Sequence, residues 1–230
     1  MKVIFNITSK KRKLKFRIDC LMKKKIDFYF DFLSPYSYVA WTWVRSQPYE
    51  FEYHPISIPS IVSHYETKGP AQIKPKRNYL FKDLLRHTSL NQIPFTTPKN
   101  LPFNSLYALR LSLKTVAGEL QKEVIDAIFR AGWEEGLDIG SDDELREILE
   151  HKNLPVDELF SKMEDKASRV QLKSNIEDAL KKEVFGVPTF FVDEEMFWGN
   201  DSIKYLEMYL AGRDPLDHDK YKLFLSKHQF

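Results

Sequence analysis

Ser34-Pro35-Tyr36-Ser37 is the stretch whose residue types and spacing point most directly to chemistry. It follows a strand-like apolar run from Ile26 to Leu33 and opens a helix-like run from Tyr38 to Val44. In thiol redox proteins a strand-to-helix junction of this kind carries Cys-x-x-Cys. Here serine stands in both cysteine positions. The junction still offers free backbone N–H groups and the positive end of a helix dipole, which suit a thiolate or another anion. A site that keeps the means of holding a thiolate without a thiol of its own points to a bound thiol such as glutathione. The plain alternative makes Ser34 only the N-cap of the first helix, its hydroxyl taken by backbone N–H groups. One hydroxyl can serve both purposes.

Other chemistries find little support. The single cysteine, Cys20, excludes a disulfide framework, a dithiol redox pair and a cysteine-based metal cluster. His54, His64, His87, His151, His218 and His228 form no H-x-x-H or H-E-x-x-H pattern, so no metal is expected. The eight glycines build no phosphate loop. No apolar run reaches the roughly 18 residues of a membrane span, and a reducing cytoplasm is the expected location. Charge is uneven: residues 1–25 hold ten Lys/Arg and one acid, a segment of +9 in a chain of net +2. The remaining body is therefore −7, which argues against nucleic acid as a partner. The basic head is expected to be disordered or to precede the true start, because Met22 stands directly before three lysines and the first good strand. Residues 1–21 are then dispensable.

The elements that must position the junction can be read from period and punctuation. A strand is expected over 26–31, a helix over 35–47 with Pro35 in its first turn, and an alternating strand over 51–56. With a right-handed crossover these make a parallel β-α-β unit. Residues 57–75, rich in proline and serine, read as loop with room for one short helix; 78–88 reads as a helix with Tyr79, Leu80, Leu84 and Leu85 as its apolar stripe. An extended linker over 93–102 leads to helices expected over 104–116 and 119–134. Ser141 is an N-cap with Glu144 as the capping-box acid, and 157–183 reads as one long charged helix. The period then changes: a strand after Pro188, a hairpin tip at Glu194-Glu195, a return strand over 196–198, and a final helix capped by Asp201 and ending at Leu210. This order, β-α-β … β-β-α, predicts an α/β chain with a thioredoxin-like core over 26–57 and 185–212. A large all-helical insertion fills 58–184, and a polar tail follows over 213–230.

A proline that opens a strand belongs at an edge or in a special conformation. In thioredoxin-like folds the position of Pro188 is a cis proline facing the redox site. A cis bond there leaves the N–H and C=O of Val187 free to pair with an extended ligand.

Asp31-Phe32-Leu33-Ser34-Pro35-Tyr36-Ser37-Tyr38, with Gly186-Val187-Pro188-Thr189-Phe190 and Phe197-Trp198-Gly199-Asn200-Asp201, resembles the 2-hydroxychromene-2-carboxylate isomerase family. That family is related to kappa-class glutathione transferases within the DsbA-like thioredoxin superfamily. The resemblance runs from about Ile26 to Leu210 and leaves out the basic head. It implies a glutathione-dependent isomerase in which Ser34 donates its hydroxyl to the sulfur of glutathione. Lys76 would pair the glycyl carboxylate, and Asp83, seven residues on, would orient that lysine or the local backbone. Val187 would pair its backbone with the cysteinyl residue next to Pro188. Asn200 and Asp201, at a helix start, would hold the γ-glutamyl end, with Asp201 on its ammonium. The plain alternatives are a solvated helix face for Lys76 and Asp83 and a simple N-cap for Asp201.

Two departures stand out. The family often carries an asparagine before the lysine, and the nearest counterpart here is Thr67. Its usual Asp-Arg pair is Asp201-Ser202. The resemblance implies an aromatic, benzylidenepyruvate-like substrate and is compatible with a homodimer. A kappa-like transferase or peroxidase and a non-catalytic DsbA-like binding module remain the alternatives.

Overall fold

The computed structural model describes residues 24–228, so the expectations for the basic head lie outside the described residues. Four strands form one mixed sheet in the order β2-β1-β3-β4: β1 Lys25–Phe30, β2 Glu50–Pro55, β3 Thr189–Val192 and β4 Glu195–Trp198. β1 runs parallel to β2 and antiparallel to β3, and β3 and β4 form a hairpin. The crossover between β1 and β2 is α1, Pro35–Val44. Between β2 and β3 come α2 Ile58–His64, α3 Lys74–Leu90, α4 Leu106–Leu111, α5 Lys114–Ala117, α6 Gln121–Trp133, α7 Asp142–His151, α8 Val156–Glu164 and α9 Lys166–Lys181. After β4 follow α10 Ile203–Leu210 and α11 His218–Lys227. The α/β thioredoxin-like core with interposed helices is the architecture the element order implied.

β1 alternates in the way its two buried faces demand. Ile26, Phe28 and Phe30 point to one side and are fully buried. Phe28 stacks on Phe30 at 5.2 Å and on Phe190 of β3 at 5.0 Å, while Trp41 of α1 and Phe129 of α6 close over them 6.0 Å apart. Each such pair contributes about 0.5–1.5 kcal/mol beyond area burial. Tyr29 points to the other side and packs with Ile56, Ile61 of α2, Ala179 of α9 and Phe191. The aromatic richness of the sequence is thus spent largely on this two-sided sheet.

Several boundaries differ from the sequence reading for physical reasons. Residues 57–75 hold more helix than expected, because Pro59 and Pro75 sit in the first turns of α2 and α3, where their missing N–H costs nothing. The helix expected over 104–116 breaks at Leu113, whose backbone is extended, and Gly118 at φ +57 separates α5 from the turn before α6. The long helix expected over 157–183 is two, split at the extended Asp165. Ser141 does cap α7, accepting from the Glu144 N–H, but Glu144 Oε2 accepts from the Asp138 N–H at 2.6 Å instead of closing a capping box. The apolar stripe of α3 is only partly used: Leu84 and Thr88 are buried, whereas Tyr79 and Leu85 are 63% and 53% exposed. A further helix, α11, lies beyond Leu210 in what read as a polar tail. No helix among the described residues is long and apolar enough to cross a membrane.

Candidate active site

The sheet register gathers the three sequence motifs at one end. β1 ends at Phe30 and leads into the Ser34 loop, while Tyr29 pairs with Thr189, the first residue of antiparallel β3. The Val187–Pro188 bond, which is cis, therefore precedes β3 beside the exit of β1. Thr189 in turn pairs with Trp198, and the Gly199 N–H donates to Pro188 O at 2.8 Å. Asn200 and Asp201 follow at once.

The Ser34 loop is pinned from both sides. Asp31 is fully buried; its Oδ1 accepts from the Leu33 N–H at 3.0 Å and its Oδ2 from the Ile58 N–H at 2.8 Å. Burial pushes the Asp31 carboxyl up, and the two backbone donors work against that push. The buried Trp133 indole N–H donates to Phe32 O at 2.9 Å. Ser34 is the N-cap of α1: its Oγ accepts from the Ser37 N–H at 3.2 Å, and Pro35 takes the first turn. This capping role uses one lone pair of the Ser34 hydroxyl and leaves its proton to donate. Ser34 itself is half-buried.

Helix α3 brings the second half of the site. The Tyr36 hydroxyl donates to Asp83 Oδ2 at 2.6 Å. Burial raises the Tyr36 phenol above its ordinary value, followed by the hydrogen bond and charge of Asp83, with Tyr79 and Asp201 adding less. One turn further along α3, His87 Nε2 meets Asn200 Nδ2 at 3.0 Å. So α3 is tied to α1 and to the turn after β4 by adjacent polar contacts.

Two expectations about roles change. Asp83 takes the Tyr36 hydroxyl and makes no ion pair with Lys76. Seven residues along a helix is about 10 Å, beyond the reach of a short carboxylate. Asp201 does not cap the last core helix: it lies inside a 3₁₀ turn over Asn200–Ser202, and Ser202 stands at the N-cap of α10 without a side-chain cap. Its carboxylate leans back over Gly199, where a Cβ would come within 2.7 Å of Oδ1; glycine at φ +86 is what makes room.

Ser34, Asp83, Asn200, Asp201, Val187 and Pro188 thus fall in one contiguous region. Lys76 shares the face of α3 that carries Asp83 and His87, is exposed, and among the described residues makes no hydrogen bond or ion pair to the others. Thr67 is exposed after α2, its N–H donating to Val62 O, and no polar contact joins it to the cluster. Sequence reasoning missed Asp31, Tyr36 and His87 as site residues. An acid inside an apolar strand run was a usable signal for Asp31, and the shared face of positions 76, 83 and 87 was one for His87.

On the opposite face of the sheet, ligand atoms of Asp27, Glu52 and His54 lie within 4.8 Å of one another. Lys182 pairs with Asp27 at 2.7 Å and Lys25 pairs with Glu52, so the carboxylates already have cations. The group reads as an ion network bracing β1, β2 and α9.

Comparison with known proteins agrees with this fold. A family model described as a DSBA-like thioredoxin domain matches residues 25–211. The 2-hydroxychromene-2-carboxylate isomerase of Sphingobium xenophagum is 33% identical over 196 residues, covering 82% of this chain and 99% of that protein. Glutathione S-transferase kappa 2 of Caenorhabditis elegans is 26% identical over 211 residues, covering 82% and 92%. A solved structure of 2-hydroxychromene-2-carboxylate isomerase superposes with a TM-score of 0.75 at 27% identity, covering 82% of this chain and 95% of that one. With its sheet and these relatives in agreement, the chain belongs to the 2-hydroxychromene-2-carboxylate isomerase family of DsbA-like thioredoxin-fold proteins.

Proposed function

We propose that this chain is a glutathione-dependent cis-trans isomerase acting on an aromatic 2-hydroxychromene-2-carboxylate-like or benzylidenepyruvate-like substrate. The observation that carries the reading is Ser34. It stands at the start of α1, with one lone pair engaged in capping and its proton left to donate.

The residues present fit glutathione. Its two carboxylates and one ammonium call for cations and an acid at opposite ends, and the site offers exposed Lys76 on α3 and exposed Asp201 after β4. When bound, glutathione supplies a thiolate that can add to a conjugated carbon, permit rotation about the former double bond and leave again, without net redox. The protein's part is to make and place that thiolate. Ser34 donates a charge-assisted hydrogen bond worth about 1.5–3 kcal/mol, which lowers a thiol pKa by about one to two units. The start of α1 adds its dipole. Val187 offers backbone groups to the cysteinyl residue, Lys76 meets the glycyl carboxylate, and Asn200 with Asp201 meets the γ-glutamyl end. Asp31 and Trp133 hold the loop so that Ser34 needs no rearrangement.

The test is isomerisation of 2-hydroxychromene-2-carboxylate by the purified chain with and without glutathione. Turnover is expected only with glutathione; equal rates without it defeat the reading. Likeness to a kappa-class transferase favours one second reading, in which the acceptor keeps the thiolate it receives. Recovery of a stable glutathione adduct in place of free glutathione distinguishes the two.

A further inference from the structure

Helix α11 and the basic head lie outside the stretch matched by the family model, which spans residues 25–211. α11 has no buried residue. Tyr221, Phe224 and Leu225 fall at i, i+3 and i+4 on one face of it, each about half exposed. By the helical period Lys222 borders that face on one side, and Lys220 and Lys227 border it on the other. Asp219 and Ser226 stand opposite, with Leu223 beside them. Lys220 pairs with the capping Asp217 at 3.3 Å, whereas Lys222 and Lys227 have no ion pair among the described residues. A helix this short is marginal on its own in water, and its apolar face finds no cover in the body. The basic head leaves from the same corner. Lys24, the first described residue, pairs with Asp193 at 3.0 Å and lies over the Tyr209 ring of α10, 4.9 Å from its centroid. α11 starts nine residues after Tyr209. Residues 1–23 hold eight Lys/Arg and one acid.

We propose that α11 docks on an anionic lipid surface, its Tyr221, Phe224 and Leu225 entering the headgroup–acyl boundary and its lysines meeting the headgroups, with the cations of residues 1–23 adding to the attraction. An apolar face bordered by lysines is the pattern of a helix that lies in a membrane interface, because a lysine rests its stem on the apolar side and keeps its ammonium in the polar one. Charge selects an anionic surface, since the cations of two neighbouring segments are drawn to it together. Area separates this occupant from a second copy of the chain. Three half-exposed side chains offer on the order of 300 Å², under half of the roughly 800 Å² that each partner gives to a stable protein interface. A lipid surface sets no such minimum. The contact also lies away from the candidate active site. β1 starts at Lys25, next to the head, and Ser34 follows its other end. α10 likewise starts just after Asn200 and Asp201 and reaches Lys24 only in its last turn.

Flotation of the full chain with vesicles tests this, one set made of phosphatidylcholine alone and one with about a third phosphatidylglycerol. At about 0.1 M salt the chain is expected to float with the anionic set and to stay in solution with the neutral one. Tyr221→Ser, Phe224→Ser and Leu225→Ser together should weaken binding to the anionic set about tenfold or more. Because α11 has no buried residue, the melting temperature of that variant should match the wild type. In the full-length chain, Lys10→Gln, Lys11→Gln, Arg12→Gln and Lys13→Gln together should also weaken it about tenfold or more. No flotation with the anionic set, equal flotation with both sets, or undiminished flotation of either variant each overturns the proposal. A dimer in sedimentation velocity that the triple-serine variant dissolves, with no flotation of the wild type, would make a second copy the occupant and overturn it as well.

Discussion

The two halves of the site are built on opposite principles. The loop from Asp31 to Ser37 is buried or half-buried throughout and pinned by backbone and side-chain hydrogen bonds from α2 and α6. Helix α3 has only Leu84 and Thr88 buried, and polar contacts tie it to the core at Tyr36 and Asn200. Under the proposed function the difference would separate chemistry from recognition. The hydroxyl that would meet the glutathione sulfur sits on the rigid half, while the groups that would meet the charged ends of that peptide sit on the half held by solvent-sensitive contacts. Substitutions in the first half should therefore cost stability or rate, and those in the second should cost affinity.

The largest effect should come from Asp31→Ala. Its carboxylate is the acceptor for the Leu33 and Ile58 N–H groups, and both donors would be left in the interior. Unsatisfied buried donors cost about 1–3 kcal/mol each, so a loss of about 2–6 kcal/mol is expected in urea unfolding. A loss below about 1 kcal/mol would mean that the loop is not pinned in this way.

Ser34→Ala should come next, and on rate in place of stability. Losing the donor should raise the bound thiol pKa by about one to two units and slow turnover at neutral pH about ten- to a hundredfold. Thiolate absorbance of bound glutathione reports the pKa. An unchanged pKa would leave Ser34 a helix cap and nothing more.

The scaffold under the rigid half predicts a third effect. Burial alone would push the Asp27 carboxyl up, but hydrogen bonds from His54 and Lys182 and their charges outweigh it and bring it down to about 2, from an ordinary 3.8. Because the folded-state pKa is depressed, the stabilisation is fully present above pH 3.8 and is lost as pH falls through about 2. Asp27 is partly exposed, so after screening the contribution is about 1–2 kcal/mol. Asp27→Asn should flatten the acid limb of a stability-versus-pH curve by that amount. An acid limb identical in both chains would show that other carboxylates set it.

How much of this was legible in the sequence follows the same division. The rigid half was readable because its signals are contiguous: Ser34-Pro35 marks cap and first turn, and Val187-Pro188 marks the start of β3. The adjustable half was not, because its contacts join residues far apart in sequence. Tyr36 finds Asp83 across 47 residues and Asn200 finds His87 across 113. No periodicity encodes such pairs, and histidines screened for metal spacing give no hint of a lone ring facing an amide. Asp165 splits α8 from α9 inside a charge run with neither proline nor glycine to mark the break. Proline misled in the other direction at residues 59 and 75, where it starts helices and read as loop.

Tyr36→Phe should give the smallest effect and divides the halves most finely, because Tyr36 stands on the rigid side and reaches to the adjustable one. Its hydroxyl gives Asp83 a single hydrogen bond at 2.6 Å. Removing it loosens α3 but leaves Leu84, Thr88 and the Asn200–His87 contact in place. A hydrogen bond to a carboxylate contributes about 1.5–3 kcal/mol, and competition from solvent at this half-buried site reduces that to about 0.5–1.5 kcal/mol, so KM for glutathione should rise about three- to tenfold and stability should fall by at most that amount. The rate constant at saturation should stay the same, since Ser34 and the start of α1 are untouched. The alkaline side of the pH profile sharpens the point. Burial and Asp83 hold the Tyr36 phenol above its ordinary value, away from the range where a bound thiol ionises. Tyr36→Phe should therefore leave the pH profile of kcat where it was. A profile that moves with this substitution would place the phenol in the activation of the thiol, and the division between a rigid chemical half and an adjustable recognition half would no longer hold at Tyr36.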